Sequence, residues 1–508
     1  MRMRACSSIL VTTLFALAIP ASIVAQERDQ SAGDETSHGV AHKKHHHYKL
    51  IDLGTLGGPS AYKSVNAPGY QIINNAGVVA FGADTPLTDP NASNPLLCYN
   101  SDCFVSHAVS WHNGVLTDLG ALPGPSATNS ASGAINARGW IAGQSQNGEI
   151  DPVSGFPEIH AFLWKDDQMI DLGSFGGLGS LANTLNNVGQ VVGFSTNSIP
   201  DPSPIFPSGT QTRAFLWQNG DLQDLGTLGG PDAAAYSINE RGQVAGISYT
   251  DPNETINPAT GVPTFHPFLW DHGIMTDLGT LGGTMGGEFL FNFESSLLVN
   301  NRGEVIGTSS LAGDQVVHPF LWSHGEMRDL GTLGGDNGAA VWLTDNGEVV
   351  GDADLPNNPP GCQSTQSCVR HAFLWRKGVM TDLGTLGSDP CSRAVMMNSK
   401  GQIVGSTISI CGNVETNAFL WEKGGPMVAL DTLIPANSGV HLFEGDNINE
   451  RGEILASGLR SDGCGDPFHC QRLYLLIPCN ANHASGCENP HASATAVTEI
   501  DPAPTEEL

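Results

Sequence analysis

Short apolar runs separated by polar turns recur along this chain. Segments such as "HAFLW" and "GQVVG" are apolar or alternating, and Gly, Asn or Pro bounds them. This pattern is typical of strands joined by tight turns and shows no helical period. It predicts units of four strands, which we name a ("SxAxxIN"), b ("GQVVGxS"), c ("HAFLW") and d ("xMTDLG") in chain order.

The four-strand unit repeats at a nearly constant interval. The aspartate of the DLG motif stands at Asp52, Asp118, Asp171, Asp224, Asp277, Asp329 and Asp382. From the third of these to the last, the steps are 53, 53, 52 and 53 residues, and "VALDTLIPA" at 428–436 is a degraded eighth copy. Without a solenoid signature or a capping repeat, this pattern predicts an all-β protein, a β-propeller of eight four-stranded blades, with seven blades as the alternative.

Each end of the repeat region holds part of one unit. The fragment that begins at Tyr48 contains only strand d, and the C-terminal fragment stops after strand c. Together the two fragments complete one blade. We therefore expect residues 48–54 to pair with residues 472–477, which closes the ring and leaves no open strand edge.

Outside the repeats, three further segments differ in composition. Residues 1–25 combine a basic start, an apolar run and a small residue at the end, as a signal peptide does. A polar, His-rich linker follows at 26–47, the β-propeller occupies 48–478, and an acidic tail occupies 479–508. The first apolar run is too short to span a bilayer, so we expect a secreted or periplasmic protein without membrane insertion.

Eleven cysteines are present, of which Cys6 lies in the predicted signal peptide. The other ten form sequence-local couples: Cys98/Cys103, Cys362/Cys368, Cys391/Cys411, Cys464/Cys470 and Cys479/Cys487. A metal site is the competing interpretation, but no couple has the CxxC spacing of a zinc knuckle. We expect five disulfides, which export permits, and no metal site.

Composition and charge limit the classes of molecule that this chain can bind. The formal net charge of −29 argues against nucleic acid, because the chain has no excess of Lys or Arg to neutralise phosphates. With 62 Gly, 31 Pro and 14% charged residues, the chain suits many tight turns better than surface helices. We expect a monomer without a cofactor, and bound calcium remains possible although no specific motif supports it.

The unit "HAFLW…G.M.DLGTLGG…IN..GQVVG" resembles the extracellular HAF-repeat family of bacterial exported proteins. The resemblance covers residues 48–478 and implies export, but it carries over no reaction, cofactor or catalytic residue. Some positions depart from the pattern. Arg213, Asn417 and Arg472 replace the HAF histidine, and Pro267 and Pro319 replace its alanine.

The connections divide into two classes. In an antiparallel blade the a–b and c–d turns share one face, and these are short and uniform, with little chemistry. The b–c and d–a connections share the other face, and they are long, variable and rich in Pro, Asn and Asp. Long ordered loops commonly carry function, so we expect the long-loop face to bind the ligand.

Residues that recur in every repeat should be structural, whereas a functional residue should break the repeat. This rule gives the DLG aspartates and the tryptophans of strand c a structural role. It also predicts that the recurring histidines are hydrogen-bonded within the fold rather than arranged as a ring of metal ligands. The candidate binding residues are Glu288 and Glu294 in the irregular insertion 284–298, Arg213, and Asp352 and Asp354 in "GDADLPNN".

These observations predict a non-catalytic binding or scaffold protein that holds a carbohydrate or protein ligand on its disulfide-pinned loop face. The alternative is an exported polysaccharide hydrolase or lyase with loop carboxylates. Fold alone does not choose between them, because the same architecture serves unrelated functions. A convergent pair of acidic groups with shifted pKa values would favour the enzyme.

Overall fold

A computed structural model describes most of the chain from residue 46 onward. The described residues are 46–63, 70–93, 98–124, 129–151, 155–258, 260–287, 295–356, 358, 368–411, 415–461, 470–479 and 487. They form 33 β-strands and one 3-10 turn, Leu430–Thr432, and none of them lies in an α-helix. Within these ranges, no helix is long and apolar enough to cross a membrane.

The first strand and repeats 1 to 4 supply seventeen strands. These are β1 (Tyr48–Asp52), β2 (Ala61–Tyr62), β3 (Val79–Thr88), β4 (Phe104–His112), β5 (Val115–Gly120), β6 (Ser130–Ile135), β7 (Ile141–Ile150), β8 (Pro157–Lys165), β9 (Gln168–Asp171), β10 (Gly176–Leu185), β11 (Val191–Pro200), β12 (Thr210–Gln218), β13 (Asp221–Asp224), β14 (Ala233–Ile238), β15 (Val244–Tyr249), β16 (Phe265–Asp271) and β17 (Ile274–Asp277).

Repeats 5 to 8 supply the remaining strands. These are β18 (Gly282–Gly287), β19 (Leu298–Val299), β20 (Val305–Leu311), β21 (Val317–Ser323), β22 (Glu326–Asp329), β23 (Gly338–Leu343), β24 (Val349–Asp354), β25 (Arg370–Arg376), β26 (Val379–Asp382), β27 (Cys391–Met397), β28 (Gln402–Ile408), β29 (Asn417–Glu422), β30 (Val428–Ala429), β31 (Val440–Ile448), β32 (Ile454–Arg460) and β33 (Arg472–Pro478). In repeat 5, strand a consists of two pieces, β18 and β19, which both pair with β20.

The strands follow the predicted order a, b, c, d with antiparallel neighbours, so the all-β propeller prediction is confirmed. Hydrogen bonds connect the strands of the eight repeats into six sheets. The number of sheets is smaller than the number of repeats because single parallel bridges join repeat 2 to repeat 3 and repeat 4 to repeat 5. The count of eight blades, with seven as the alternative, therefore stays a prediction.

The predicted pairing of the two chain ends is present. Strand β1 pairs antiparallel with β33, from Tyr48 opposite Pro478 to Asp52 opposite Tyr474. Tyr48 is only 2% exposed and packs in the same hydrophobic cluster as Tyr474. The first described strand thus supplies strand d of repeat 8.

Strand b is glycine-containing because the phenylalanine of strand c lies over it. A Cβ atom on Gly143 would come within 2.6 Å of the Phe162 ring and 2.3 Å of the Ala131 carbonyl oxygen. Gly246 has the same relation to Phe268. The phenylalanines of "FLW" in repeats 2 to 7 are fully buried. The GQVVG and FLW motifs therefore recur together because each needs the other for packing.

The recurring histidines are hydrogen-bonded to the DLG aspartates. His107 Nδ1 lies 2.9 Å from Asp118 Oδ1, and Gly120 N–H donates to the same oxygen. Burial alone would raise the pKa of Asp118, but these hydrogen bonds outweigh it and hold the pKa below its ordinary value. Four other histidines make the same contact with their aspartates: His160, His266, His318 and His371. This geometry agrees with the structural role predicted from recurrence.

A chain of amide hydrogen bonds runs from each repeat to the next. The asparagine that opens each a–b turn donates from Nδ2 to the carbonyl oxygen at the same position of the following repeat, over 2.8 to 3.1 Å. The donors are Asn74, Asn136, Asn186, Asn239, Asn300, Asn398 and Asn449. The last of them donates back to Asn74 of repeat 1. Repeat 6 has Thr344 at this position, which has no amide group to donate.

Replacing Thr344 with Asn should complete this chain of hydrogen bonds. We expect Thr344→Asn to stabilise the protein by about 1 kcal/mol, since it adds one bond to the Asn398 carbonyl. The reverse change, Asn136→Thr, should destabilise it by about 1 to 2 kcal/mol because the Asn186 carbonyl loses one of its two donors and keeps only the Gly189 N–H. Urea denaturation of both variants tests this, and a neutral Asn136→Thr would contradict the role of the amides.

Three of the five predicted disulfides are present: Cys98–Cys103, Cys391–Cys411 and Cys479–Cys487. Cys368 and Cys470 are also disulfide-bonded, but their predicted partners, 362 and 464, lie outside the described residues. Disulfides of this kind are compatible with an extracellular location.

Candidate functional site

The residues proposed from the sequence are placed as follows. Glu288 and Glu294 lie outside the described residues. Arg213 binds Asp224, with Nε to Oδ2 at 2.9 Å, and donates from Nη1 to the Pro231 carbonyl. It therefore occupies the structural position that histidine has in other repeats. Its guanidinium is engaged by Asp224 and Pro231 and is not directed at a ligand.

Asp352 and Asp354, two of the candidate binding residues, lie on strand β24. Both are buried, and Arg370 Nη1 is 3.0 Å from Asp352 Oδ2 while its Nε is 3.8 Å from Asp354 Oδ1. Arg393 Nε approaches Asp352 Oδ1 at 3.5 Å. Burial raises the pKa of Asp354 even though Arg370 opposes the shift. The two carboxyl groups thus belong to a buried ionic network.

That network continues into a group that we call the inner charge cluster, which comprises Lys63, Arg393, Glu415, Glu444 and Asp446. Lys63 Nζ contacts Glu444 Oε1 at 2.5 Å and Asp446 Oδ1 at 2.9 Å. Arg393 Nη1 lies 4.0 Å from Glu415 Oε1. The cluster therefore joins side chains from repeats 7, 8 and 1, and Arg393 links it to Asp352 of repeat 6.

The inner charge cluster breaks the repeat. Arg393 and Glu444 are opposite Ser406 and Ser457 on strand b, and the equivalent positions of repeats 2, 4 and 6 hold Ala131, Ala234 and Ala339. Since other repeats have alanine here, the repeated architecture does not require a charged side chain at this buried position. The segments "SRAVMMN" and "EGDNIN" carry this departure in the sequence, although the candidate residues predicted from the sequence did not include it.

Exposure divides the cluster into outer and inner members. The side chain of Lys63 is 33% exposed, that of Glu415 19% and that of Glu444 11%, whereas that of Asp446 is fully buried. Asp446 Oδ2 accepts a hydrogen bond from the Ser457 hydroxyl. Lys63 and Glu415 are therefore the more exposed members, whereas Glu444 is largely buried, with 8% of the residue exposed.

Protonation differs among the acidic members. Burial raises the pKa of Asp446 to about 7, although Lys63 opposes the shift. Burial and the nearby charge of Glu444 raise the pKa of Glu415, and Arg393 partly offsets them. Burial alone would lower the pKa of Lys63, but Asp446 and Glu444 hold it above its ordinary value. The pKa of Glu415 is thus held above that of an ordinary glutamate, while Glu444 forms an ion pair with Lys63.

Two cavities lie elsewhere. One of about 290 Å³ lies between repeats 1, 2 and 3 and is lined by aromatic side chains that include Tyr62, next in the chain to Lys63. The other, of about 470 Å³, is bounded by the a–b turns of all eight repeats. The residues that follow the first turn position, which is Asn in seven repeats and Thr344 in repeat 6, make the second cavity polar; they include Glu240, Asp345 and Glu450. The short-turn face is therefore richer in polar groups than its uniform turns predict.

No group of three or more His, Cys, Asp or Glu side chains among the described residues has a geometry suited to a metal ion. The inner charge cluster contains two cationic side chains, Lys63 and Arg393, which lie against its carboxylates.

Solved β-propeller structures are similar to this chain. The β-propeller domain of the Trilobed protease from Pyrococcus furiosus is 9% identical, with a TM-score of 0.39 over 72% of this chain and 98% of that one. Oligogalacturonate lyase from Vibrio parahaemolyticus is 10% identical, with a TM-score of 0.39 over 80% and 99%. Acylaminoacyl peptidase from Pyrococcus horikoshii is 10% identical, with a TM-score of 0.39 over 77% and 57%. No protein-family model and no curated protein matches the chain.

This comparison corrects the prediction of a non-catalytic binding or scaffold protein. The structures named above belong to a protease, an acylaminoacyl peptidase and an oligogalacturonate lyase, all of which are enzymes. At this level of identity the likeness concerns the fold alone. Which reaction this chain can perform therefore depends on its own side chains.

Proposed function

We propose that this protein is an exported enzyme that cleaves polysaccharide by hydrolysis at the inner charge cluster. The observation that carries the proposal is the pair Glu415 and Glu444. Their side chains are 19% and 11% exposed beside charges that break the repeat. Glu415 has a raised pKa, and Glu444 pairs with Lys63. A pair of carboxyl groups, one acting as acid and the other as base or nucleophile, is the machinery of glycoside hydrolysis.

Each member of the cluster has a role in this reaction. Glu415 donates its proton to the glycosidic oxygen as the bond to the sugar breaks. The Glu444 carboxylate acts on the opposite side, either on a water molecule or on the sugar carbon itself. Lys63 and Asp446 position Glu444, because they contact each other and Lys63 contacts Glu444 directly. Water supplies the atoms that complete the two products.

The experiment is to incubate the purified, oxidised protein with neutral and acidic cell-wall and plant polysaccharides and to measure the soluble sugar that is released. We expect new reducing ends from at least one polymer. An unsaturated product would instead show elimination, with Glu444 as the group that removes the proton. Retention of the protein on a polymer without any release would overturn the proposal.

The pH dependence of this activity should report on Glu415. Because Glu415 must be protonated, activity should fall as the pH rises through its raised pKa. Arg393 lowers that pKa, so Arg393→Met should move the fall to higher pH by about 0.5 to 1 unit. The control is Lys400→Met, an exposed residue in the a–b turn of the same repeat. An unchanged profile in Arg393→Met would assign the acid role elsewhere.

Export through residues 1–25 and membership of the HAF-repeat family remain proposals. The repeat motifs at 48–478 support the family, and the disulfides support a location outside the cytoplasm. Mass spectrometry of the mature N-terminus tests the first proposal, with cleavage after Ala25 expected.

A further inference from the structure

The cavity on the short-turn face is the larger of the two, and it is separate from the inner charge cluster. It has a volume of about 470 Å³ and is lined by residues from all eight repeats. No member of the inner charge cluster is among the described residues that line it. Its volume lies within the range of small-molecule sites and is enough for roughly one or two sugar rings.

One repeat departs from the pattern where it lines this cavity. Trp342 of repeat 6 stands two positions before the first residue of the a–b turn, and its side chain is partly exposed in the cavity. No other repeat has an aromatic residue at this position. The equivalent residues are Ile72, Ala134, Thr184, Ser237, Leu298, Met396 and Asn447. The tryptophan is therefore not a requirement of the repeated architecture.

Asn346 is a second departure in the same repeat. Five repeats carry a basic residue at this position of the turn: Arg138, Arg241, Arg302, Lys400 and Arg451. Three of the arginines extend over the turn glycine of the following repeat, where a Cβ atom on Gly303, Gly347 or Gly77 would come within 2.9 Å of a guanidinium nitrogen. Asn346 leaves the space over Gly401 open. It lines the cavity instead, and its exposed amide makes no hydrogen bond to another described residue.

Asp345 lies between these two residues in the chain and is held by the preceding repeat. Asn301 N–H donates to Asp345 Oδ1 at 2.9 Å, and Asn301 Nδ2 donates to Asp345 Oδ2 at 3.0 Å. Each carboxylate oxygen keeps a further lone pair, and the residue is exposed. The carboxylate is therefore fixed before a ligand arrives, which lowers the cost of binding.

Small side chains form the other side of the cavity. Repeat 2 lies four repeats away from repeat 6 in either direction around the eight turns, and it contributes Ala134 and Ala137 to the lining. The next two repeats contribute Thr184 and Ser237. The lining thus combines one aromatic wall with small residues across the ring, which leaves room for a ligand beside Trp342.

The charges of the lining limit the class of ligand. Of the described residues that line the cavity, Glu240, Asp345 and Glu450 carry carboxylates, and none is Lys or Arg. An anionic ligand such as a phosphate or a uronate would be repelled without gaining an ion pair. Hydroxyl groups, in contrast, donate to carboxylates in charge-assisted hydrogen bonds, and an amide both donates and accepts. An indole ring adds an apolar surface on which the C–H face of a sugar can pack.

We propose that this cavity binds an uncharged sugar, with Trp342 against one face of the sugar ring and with Asp345 and Asn346 hydrogen-bonded to its hydroxyl groups. The three residues come from one turn of one repeat, and two of them replace residue types that the other repeats use for structure. The site lies apart from the proposed hydrolytic cluster and does not depend on it. It therefore holds a sugar that is not being cleaved.

The test is calorimetric titration of the protein at neutral pH with a panel of uncharged sugars: glucose, galactose, mannose, xylose, cellobiose and lactose. Folded wild-type protein should bind at least one of them with a Kd of about 1 mM or lower. Its melting temperature should rise when that sugar is present, because a ligand of the native state stabilises it. Glu444→Gln should bind the sugar as tightly as wild type, since the inner charge cluster is not part of this site.

The role of the indole ring is tested by Trp342→Ala, which should weaken binding at least about tenfold. Trp140→Ala is the matched control. Trp140 is also partly exposed and follows the a–b turn of repeat 2, but it lies beneath Arg138 and Lys165 and is not part of the cavity lining. Trp140→Ala should therefore bind the sugar as wild type does.

A second variant leaves the core untouched. Asn346→Arg restores the residue type of repeats 2, 4, 5 and 8 at an exposed position, so the fold should persist. It should weaken binding about three- to tenfold, because the ligand loses the hydrogen bonds of the amide. Lys400→Met, at the equivalent position of repeat 7, should leave binding unchanged.

Three results would overturn the proposal. The first is that folded wild-type protein binds no sugar in the panel. The second is that binding is unchanged in both Trp342→Ala and Asn346→Arg, or is lost in Glu444→Gln, which would place the sugar elsewhere. The third is that spermidine binds while the sugars do not, which would show that the carboxylates form a cation site instead.

Discussion

Deleting residues 48–58 should lower the melting temperature more than any single substitution in the ring. Strand β1 is paired with β33 along its whole length, so its removal leaves repeat 8 without strand d. Tyr48 and Leu53 are 2% and 3% exposed, and the loss of each buried side chain costs about 2 to 5 kcal/mol. We expect a loss of at least about 5 kcal/mol in the free energy of unfolding.

The same deletion should promote association. It exposes the backbone N–H and C=O groups of β33, and an open strand edge is a template for another chain. Thermal unfolding by circular dichroism and size-exclusion chromatography measure the two effects. The control is a deletion of residues 26–45, which precede the first described strand. An unchanged melting temperature after loss of 48–58 would show that β1 does not close the ring.

A single substitution tests whether the loss of stability comes from lost side-chain packing rather than from the shorter chain. Tyr48→Ala should destabilise the protein by about 3 kcal/mol, because it removes a buried ring from the hydrophobic cluster that β1 shares with β33. Lys49→Ala, on the same strand but partly exposed, should change stability by less than about 0.5 kcal/mol. Equal effects of the two changes would contradict the packing argument.

The sequence was sufficient for those features that local patterns determine in every repeat. Strand alternation, tight turns and the incomplete units at the two ends predicted the pairing of β1 with β33. The contact between Gly143 and Phe162 shows why: each repeat solves the same packing problem with the same residues. Repetition made the signal strong enough to be read without a structure.

Features that depend on contacts between repeats were not predictable in the same way. Lys63 and Glu444 are 381 residues apart in the chain, and they meet because repeat 8 packs against repeat 1. Asp352 and Asp354 look like loop residues in sequence because Pro and Asn follow them, but strand b extends through them and Arg370 pairs with both. The substitution of charge for alanine at Arg393 and Glu444 was the one visible signal.

The second large effect should come from the carboxyl pair. We expect Glu415→Gln and Glu444→Gln each to lower the rate of polysaccharide cleavage by about 10² to 10⁴-fold, since each removes one proton-transfer or charge-stabilising group. Gln keeps the size of Glu and can still accept hydrogen bonds, so the fold should persist. Melting curves close to that of wild type would establish that the loss is chemical.

The two variants should also differ from each other in a way that a structural role would not produce. Glu415→Gln should lose least with substrates whose leaving group needs no proton, such as aryl glycosides with acidic phenols, because only the proton donor is missing. Glu444→Gln should lose activity with both kinds of substrate. Glu326→Gln, at an exposed c–d turn, is the control and should retain full activity. Full activity in Glu444→Gln would remove the inner charge cluster from the reaction.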